Sequence, residues 1–158
     1  VRGTGAKIID TRKTVPLLRE LQKMAVVAGG GANHRMGLFD QVLIKDNHIQ
    51  AVGSPAEAVR RARTRVGGEI TVEVEIERLE ELEEVIKAGA DVVMLDNMLP
   101  SAMRAAVEIA DGRVLLEASG GITLKTVREV AESGVDLISI GGITHSSPSL
   151  DVALDFST

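Results

Sequence analysis

The sequence contains no cysteine, tryptophan or tyrosine, and only two phenylalanines among its 158 residues. The absence of cysteine excludes disulfides and thiolate–zinc sites. It also fits a reducing compartment, so we expect a cytoplasmic protein. Without aromatic side chains the chain lacks the stacking platforms on which single-stranded nucleic acids bind.

A basic field and long hydrophobic runs are also missing. The net charge is −5, which does not favour binding to nucleic acid or to a membrane surface. No apolar run approaches the roughly 18 residues of a membrane span, and no signal-peptide pattern opens the chain. Apolar residues nevertheless make up 44% of the sequence, enough for the core of one domain. The chain opens on Val1 and soon enters a predicted strand, so we expect residues 1–158 to be a single domain cut from a longer protein.

Short β-branched runs alternate with amphipathic segments, a pattern that predicts an α/β fold. The predicted strands are Lys7–Asp10, Val42–Lys45, Ile70–Glu75, Val92–Leu95, Val114–Glu117 and Leu137–Ile140, with a weaker one at Ala25–Ala28. All-apolar runs such as Val92–Leu95 indicate burial on both faces and therefore a parallel sheet. There is no Gly-x-Gly-x-x-Gly fingerprint, and a complete barrel usually takes about 250 residues. We therefore predict an incomplete (β/α) TIM-like barrel of six or seven parallel strands.

Helix signals fall between the strands. Pro16 is suited to the first position of a helix. Ser54–Glu57 reads as a capping box with proline at the first helical position. The segment Arg78–Ala88 carries an apolar stripe and stops at Gly89, and Thr123 is predicted to cap a later helix.

The sign of the charge changes along the chain. Residues 1–48 hold eight Lys/Arg against four Asp/Glu, whereas the remainder holds ten against nineteen. In parallel α/β folds the carboxyl ends of the strands converge on one mouth. Cations from the early units and acids from the middle units should therefore share one pocket, which suits a polyanionic substrate together with a metal or a cationic transition state.

Three cationic tracts follow early strands. Arg12 and Lys13 come directly after the first strand, and His34-Arg35 follows three successive glycines that allow close backbone approach to a ligand. Lys45 closes a buried strand, so it should be partly desolvated and should either bind an anion or act as a Schiff-base nucleophile.

Acids and glycine pairs follow the later strands. Glu75 ends an alternating strand whose acids share one face, and Asp96 ends an all-apolar strand, so both are candidate metal or ribose ligands. An edge strand with an acidic solvent face is the alternative for Glu75. The pairs Gly120-Gly121 and Gly141-Gly142 are typical of a phosphate cup, with His145 just beyond.

Taken together, these tracts resemble the quinolinate phosphoribosyltransferase family. The tracts that carry the resemblance are Asp10–Thr14, Gly29–Leu38, Leu43–His48, Val72–Glu75, Leu95–Asn97, Leu116–Gly121 and Gly141–His145. The resemblance runs in order over essentially the whole chain. It implies a decarboxylating pentosyltransferase of NAD biosynthesis. Such an enzyme makes nicotinate mononucleotide, pyrophosphate and CO2 from quinolinate and phosphoribosyl pyrophosphate. The family's barrel is incomplete, and its N-terminal α/β domain has no counterpart here.

The resemblance also implies residue roles. The residues expected to bind the two carboxylates of quinolinate are Arg12, His34, Arg35 and Lys45. Those expected to bind phosphoribosyl pyrophosphate are Lys13, Glu75, Asp96, Ser119, Gly120, Gly121, Gly141, Gly142 and His145. Catalysis is expected from Lys45, Glu75 and Asp96, with Mg²⁺ held by the two acids. The family forms homodimers or larger homo-oligomers in which a further arginine comes from a segment absent from this chain, so the chain alone is expected to fold and yet be inactive.

Three other interpretations stay open from the residues themselves. Lys45 would serve a Schiff-base lyase, although the neighbouring cations have no purpose in carbonyl chemistry. The glycine loops alone would suffice for a non-enzymatic module that binds a phosphorylated metabolite, but Glu75 and Asp96 would then be unexplained. A related phosphoribosyltransferase acting on another pyridine is the third.

Overall fold

A computed structural model describes residues 1–156. Six parallel strands form one sheet in the order β1-β6-β5-β4-β3-β2. The strands are β1 Lys7–Ile9, β2 Val42–Ile44, β3 Val72–Ile76, β4 Val92–Asp96, β5 Leu115–Ser119 and β6 Leu137–Ser139. The helices are α1 Arg19–Ala28, α2 Asp46–Val52, α3 Pro55–Val66, α4 Leu82–Lys87, α5 Pro100–Ala110, α6 Val127–Ala131 and α7 Gly142–His145, with a 3₁₀ turn at Leu79–Glu81.

The sheet has the parallel strands and helical crossovers of a (β/α) barrel, but it does not close. In the described part of the chain no ladder joins β1 to β2, and these two strands are the edges. Ala32 covers part of the β1 edge through a single parallel bridge to Ile9. Its N–H donates to the Ile8 carbonyl at 2.9 Å, and its own carbonyl accepts from the Asp10 N–H at 3.2 Å. The predicted incomplete barrel of six or seven strands is confirmed, with six.

The core lies between the sheet and the helices, and it explains the strand patterns. In β3, Val72, Val74 and Ile76 belong to this core. Glu73 and Glu75 alternate with them and therefore face the inside of the curved sheet. Because β2 and β4 flank β3 on either side, the alternative of an edge strand with an acidic solvent face is wrong.

The six principal predicted strands are confirmed to within two residues at each end. The weaker prediction at Ala25–Ala28 is wrong, because these residues form the last turn of α1. Val26 is buried whereas Val27 is 52% exposed. The two valines therefore lie on opposite faces of an amphipathic helix, one packed inside and one exposed. Tertiary packing overrode their β-propensity.

Two helix starts differ from prediction. Pro16 does not begin a helix, because Leu17 follows with a left-handed φ of 66° and α1 starts only at Arg19. Thr123 does not cap α6 directly. Its N–H donates to the Thr126 hydroxyl at 3.0 Å, which makes a turn ahead of the helix.

The other helix signals hold. The Ser54 hydroxyl accepts from the Glu57 N–H at 3.2 Å, with proline at the first helical position. The Glu57 carboxylate binds Arg60 and Arg61, so only one half of the predicted capping box forms. The segment that ends at Gly89 buries its apolar stripe as predicted. Within residues 1–156, no helix combines the length and apolarity needed to cross a membrane.

Candidate functional site

A cavity of about 230 Å³ opens at the carboxyl ends of the strands. The four predicted quinolinate ligands, Arg12, His34, Arg35 and Lys45, all line it. Lys13 and Ser119 line it as well. Leu43 and Met94 give it an apolar side. The predicted cations from separate early units therefore line one cavity, whereas the acids Glu75 and Asp96, which were expected in the same pocket, do not line it.

Two of the cationic side chains in this cavity, Arg12 and Arg35, are arginines held near each other. Burial and the nearby charge of Arg12 lower the pKa of the Arg35 guanidinium. Arg35 spends one donor on the Gln41 carbonyl at 3.3 Å. The Nε of Arg12 is buried and has no hydrogen-bond partner. Two guanidinium groups held close together, one with a spare donor, favour an anion between them.

The loop that carries His34 and Arg35 is anchored by a buried ion pair. Asp10 and Lys23 are both fully buried and contact each other. The Asp10 carboxylate accepts from the His34 N–H at 2.9 Å, and the Lys23 ammonium donates to the His34 carbonyl at 2.8 Å. The peptide groups on both sides of His34 are thus fixed from the protein interior.

The glycine run before this loop has a packing role. A Cβ on Gly31 would lie 2.8 Å from the Val26 side chain, so only glycine lets this strand-like segment pass over α1. Gly30 adopts a left-handed φ of 88°. The close approach that the sequence suggested is therefore, at Gly31, an approach to α1.

His34 lies between the cavity and the interior. Its Nε2 donates towards Glu73, whose carboxylate oxygen is 3.0 Å away, and a Glu117 oxygen is 3.5 Å away. Its Nδ1 accepts from the Arg35 N–H at 2.7 Å. Burial lowers the pKa of His34, but the hydrogen bond to Glu73 and the charges of both glutamates outweigh it, so the pKa is raised overall. Both ring nitrogens already have protein partners, and the expected contact with quinolinate stays a prediction.

Glu73 and Glu117 are site residues that the sequence reasoning missed. Both are almost wholly buried, and one oxygen of each lacks a partner. Burial raises the pKa of Glu117 to about 8, and the nearby charge of Glu73 adds to the shift. The period-2 pattern that placed Glu73 on the face of Glu75 was the available signal.

Lys45 and Glu75 form an ion pair across β2 and β3, with 2.9 Å between Nζ and Oε2. The Lys45 Nζ thus already donates to a carboxylate, which suits a role in binding anionic groups. His48, which the sequence grouped with Lys45, accepts from the Lys45 N–H at 3.0 Å and so helps to start α2. Part of this polar tract is therefore structural.

Asp96 and the first glycine pair lie at the rim. Asp96 ends β4 beside Ser119 of β5, and Ser119 lines the cavity. Neither Asp96 nor Glu75 lines the cavity itself. Gly120 has a φ of 99° and passes close to Asn97, whose side chain donates to Asp96 at 2.6 Å. The helix that follows Gly120-Gly121, α6, begins only at Val127.

The second glycine pair meets the first loop. A Cβ on Gly141 would lie 3.0 Å from the His145 ring and 3.6 Å from the Lys13 side chain. The Thr144 hydroxyl donates to the Lys13 carbonyl at 2.6 Å, which ties α7 to this loop. Gly142 begins α7 with open space around its Cα. Lys13, Gly141 and His145, all predicted to bind phosphoribosyl pyrophosphate, therefore lie next to one another.

We expect Gly120→Ala to damage the rim more than its φ alone predicts. A Cβ there would be 2.6 Å from the Asn97 side-chain carbon, whereas Gly53, with a φ of 97°, faces open space. Gly53→Ala should cost about 1 kcal/mol from backbone strain, and Gly120→Ala about 2 kcal/mol more from the clash. Urea unfolding of both variants measures the difference. Equal losses would mean that Asn97 moves aside freely.

Comparison with known proteins gives a consistent result. The family model described as "Quinolinate phosphoribosyl transferase, C-terminal domain" matches residues 1–155. The chain is 52% identical to the probable nicotinate-nucleotide pyrophosphorylase [carboxylating] of Bacillus subtilis over 149 residues, covering 94% of this chain and 52% of the relative. It is 48% identical to the Mycobacterium leprae nicotinate-nucleotide pyrophosphorylase [carboxylating], covering 98% and 55%.

Solved structures agree. The nicotinate-nucleotide pyrophosphorylase from Francisella tularensis superposes with a TM-score of 0.86 at 48% identity, covering 90% of this chain and 50% of that one. The Ehrlichia chaffeensis enzyme of the same name gives a TM-score of 0.87 at 44% identity, covering 92% and 53%. The chain spans about half the length of the curated relatives it matches.

Proposed function

Because this chain belongs to the quinolinate phosphoribosyl transferase family, we propose that it forms the catalytic barrel of a decarboxylating enzyme of NAD biosynthesis. The reaction would transfer the phosphoribosyl group of phosphoribosyl pyrophosphate to quinolinate and release pyrophosphate and CO2, giving nicotinate mononucleotide. The observation that carries the proposal is the single cavity lined by four cationic side chains at the strand ends.

Quinolinate recognition follows from charge. With an aromatic content of 1%, the protein has little ring surface on which a pyridine could stack. A dicarboxylate must therefore be held by ion pairs, and Arg12, Arg35 and Lys45 line the same cavity. Leu43 and Met94 offer an apolar side against which the pyridine ring packs. His34 would complete this set.

Phosphoribosyl pyrophosphate would lie along the rim on the β5 and β6 side. Lys13, Gly141 and His145 are adjacent there, and Ser119 lines the cavity beside the Gly120 turn. Gly121 and Gly142 leave space free of side chains around the backbone. An ammonium group together with exposed peptide N–H groups suits phosphate oxygens.

The acids at the middle strand ends would act on the ribose. Departure of pyrophosphate leaves positive charge on the ribose ring, and the pyridine nitrogen forms a bond to C1 of the ribose. Glu75 and Asp96 at the rim would stabilise that charge. Once the ring nitrogen is cationic, the electron pair left by the adjacent carboxylate is stabilised, so decarboxylation follows transfer.

The same two carboxylates fit a magnesium ion. Mg²⁺ prefers oxygen ligands and usually binds through one or two carboxylates plus substrate phosphates. The Asp96 carboxylate accepts one hydrogen bond from Asn97, and Glu75 contacts Lys45, so both retain free oxygen lone pairs at the rim. When bound, the ion would neutralise the charge of the pyrophosphate group.

The oligomeric state and cellular location belong to the same proposal. We propose a homodimer or larger homo-oligomer in which an arginine from outside these 158 residues completes the site. The relatives, about twice as long as the match, leave room for such a segment. The lack of cysteine supports a cytoplasmic location.

The Schiff-base alternative has less support. A lysine nucleophile needs a free amine, whereas the Lys45 Nζ donates to the Glu75 carboxylate at 2.9 Å. Borohydride trapping in the presence of a keto acid would still reveal such an activity. Binding of a phosphorylated metabolite without turnover would leave the acids Glu75 and Asp96 without a role.

The decisive assay uses the complete native polypeptide with phosphoribosyl pyrophosphate, Mg²⁺ and one of three pyridines. With quinolinate, the reaction should release pyrophosphate and CO2 in equal amounts. Nicotinate and nicotinamide, each with one carboxyl-derived group, should react far more slowly. Preferred turnover of nicotinate or nicotinamide would overturn the substrate assignment, and absence of pyrophosphate release with all three would overturn the proposed reaction.

Asp96→Asn should mainly lower turnover and change the magnesium requirement. The amide keeps the size of the side chain but removes the negative charge, so we expect kcat to fall about 10-fold or more and the half-saturating Mg²⁺ concentration to rise. Asp111→Asn, at the exposed end of α5, is the control. Steady-state kinetics at several magnesium concentrations test this, and unchanged kcat and metal dependence would exclude the role.

A further inference from the structure

Two buried glutamates, Glu73 and Glu117, lie at the inner end of the cavity, which we call its floor, and have no role in the reaction proposed above. One oxygen each of Glu73 and Glu117 and a ring nitrogen of His34 lie within 4.8 Å of one another. The two glutamate side chains are at most 1% exposed. Two carboxylates this close in a dry interior cannot both be charged at low cost, so one of them holds a proton.

The hydrogen bonds identify the carboxyl that holds the proton. Glu73 accepts on one oxygen from His34 at 3.0 Å and from the Gln41 amide at 2.5 Å, so this oxygen already has two donors. Glu117 is 3.5 Å from His34, and its other oxygen has no partner. Glu117 is therefore the neutral acid, and a proton on it also gives it a hydrogen bond to donate.

Glu117 is also the acid that faces the substrate. It lines the cavity at the carboxyl ends of the strands, here called the upper cavity. Ser119, two residues further along the same face of β5, lines it too. Glu73 does not line the upper cavity, and contacts only a second cavity beneath the floor. Glu117 lines both cavities, so it is the one of the two glutamates that lines the cavity of Arg12, Arg35, Leu43 and Met94.

Resting on the proposed function, we propose that Glu117 is the general acid that protonates the pyridine ring carbon after CO2 departs. Decarboxylation breaks the bond between C2 of the ring and its carboxylate, and the electron pair stays on C2. The Glu117 O–H bond then breaks, its proton forms the new C2–H bond, and Glu117 is left as a carboxylate. Solvent returns the proton after the product leaves. No oxidant or further reactant is needed.

The acid form of Glu117 is present at neutral pH. Burial, reinforced by the charge of Glu73, raises its pKa to about 8, so the group is mostly protonated below that pH and loses its proton above it. The charged and titratable groups around it are Glu73 and His34 in the floor, Arg12, Lys13, Arg35 and Lys45 in the upper cavity, and Lys7 in the lower one. The rate of decarboxylation should therefore fall as pH rises through about 8.

Glu117→Gln tests the proposal, because the amide resembles the protonated acid but cannot transfer a proton to carbon. In single-turnover experiments on the complete native polypeptide, pyrophosphate release should stay within about 3-fold of wild type. Formation of nicotinate mononucleotide should slow by about 100-fold or more, the lower end of a general-acid contribution. The intermediate that still carries both carboxylates should accumulate. Glu108→Gln, an exposed glutamate on α5, should change neither step.

The outcomes separate the inference from the proposed function. Equal slowing of both steps by Glu117→Gln, or no slowing of either, would overturn the role of Glu117 while leaving the proposed function intact. No pyrophosphate release by wild type would overturn the proposed function first. If the variant does not fold, wild type alone decides. A product-forming step that slows above pH about 8 while pyrophosphate release does not supports the proposal, and parallel pH profiles reject it.

Discussion

Replacing Arg35 by alanine should weaken quinolinate binding by about 100-fold or more and leave the affinity for phosphoribosyl pyrophosphate within about 3-fold. Truncating one partner of a desolvated charge pair costs about 2–5 kcal/mol, much of it because the other charge is left unpaired. Arg35 lines the cavity together with Arg12 and Lys45, whereas the side chains nearest to Gly120 and Gly141 are those of Asn97, His145 and Lys13. Its loss should therefore be selective for the dicarboxylate.

Calorimetric titration of the complete polypeptide with each substrate measures this selectivity. Arg65→Ala is a matched control, because Arg65 is exposed on α3, outside the cavity. The control should leave both affinities unchanged. If Arg35→Ala weakens both substrates equally, Arg35 does not contact quinolinate and instead maintains the cavity as a whole.

Replacing Lys23 by methionine should cause the largest loss of stability of any single substitution at an ion pair in the described residues. The change keeps the length of the side chain but leaves Asp10 buried without its counter-charge, which costs about 3–5 kcal/mol. For a domain of this size that corresponds to a fall in Tm of about 10 °C. Lys23 also holds the His34 carbonyl at 2.8 Å, so quinolinate affinity should fall together with stability.

The control for this prediction is Lys87→Met. Lys87 forms an exposed i,i+4 pair with Glu83 at 3.4 Å, and because water screens such a pair its loss should have little effect on stability. Thermal unfolding followed by circular dichroism compares the two variants. A fall in Tm for Lys23→Met as small as that for Lys87→Met would mean that Asp10 is hydrated or protonated in the folded protein.

The sequence was sufficient for the sheet because its strands are buried on both faces. Runs such as Val92–Leu95 indicate a strand buried on both faces, and β4 does pair in parallel with β3 on one side and β5 on the other. Ala25–Ala28 was misassigned because helix and strand differ there only in which valine packs inward, a tertiary property. The helix start predicted at Pro16 was wrong for a similar reason. The left-handed φ of Leu17 depends on the tertiary packing of the loop, which the local sequence does not show.

The candidate site was predictable where its side chains directly follow a strand. Arg12 and Lys45 follow β1 and β2 directly, and convergence of parallel strands brings them together. Arg35 lies in the loop between α1 and β2, so its place in the same cavity did not follow from a strand end. Glu117 was noticed only as the end of a strand, and Glu73 only as one member of an alternating face. Their interaction with His34 depends on which loop covers the inside of the sheet, and no local pattern encodes that. Lys23 lay in an ordinary amphipathic helix, where a lysine is expected to face solvent.

The seam between β1 and β2 has a consequence for how this protein tolerates sequence change. In a closed barrel the wall and the substrate-binding loops are separate, so loops vary while the wall is kept. Here the segment that begins at Ala32 serves as the wall beside β1 and, two residues later, presents its histidine and arginine to the cavity. A deep mutational scan should therefore find residues 31–35 as intolerant as the central strands, with folding and activity failing together. The connections from α3 to β3 and from α5 to β5, which carry no predicted site residue, should accept many substitutions.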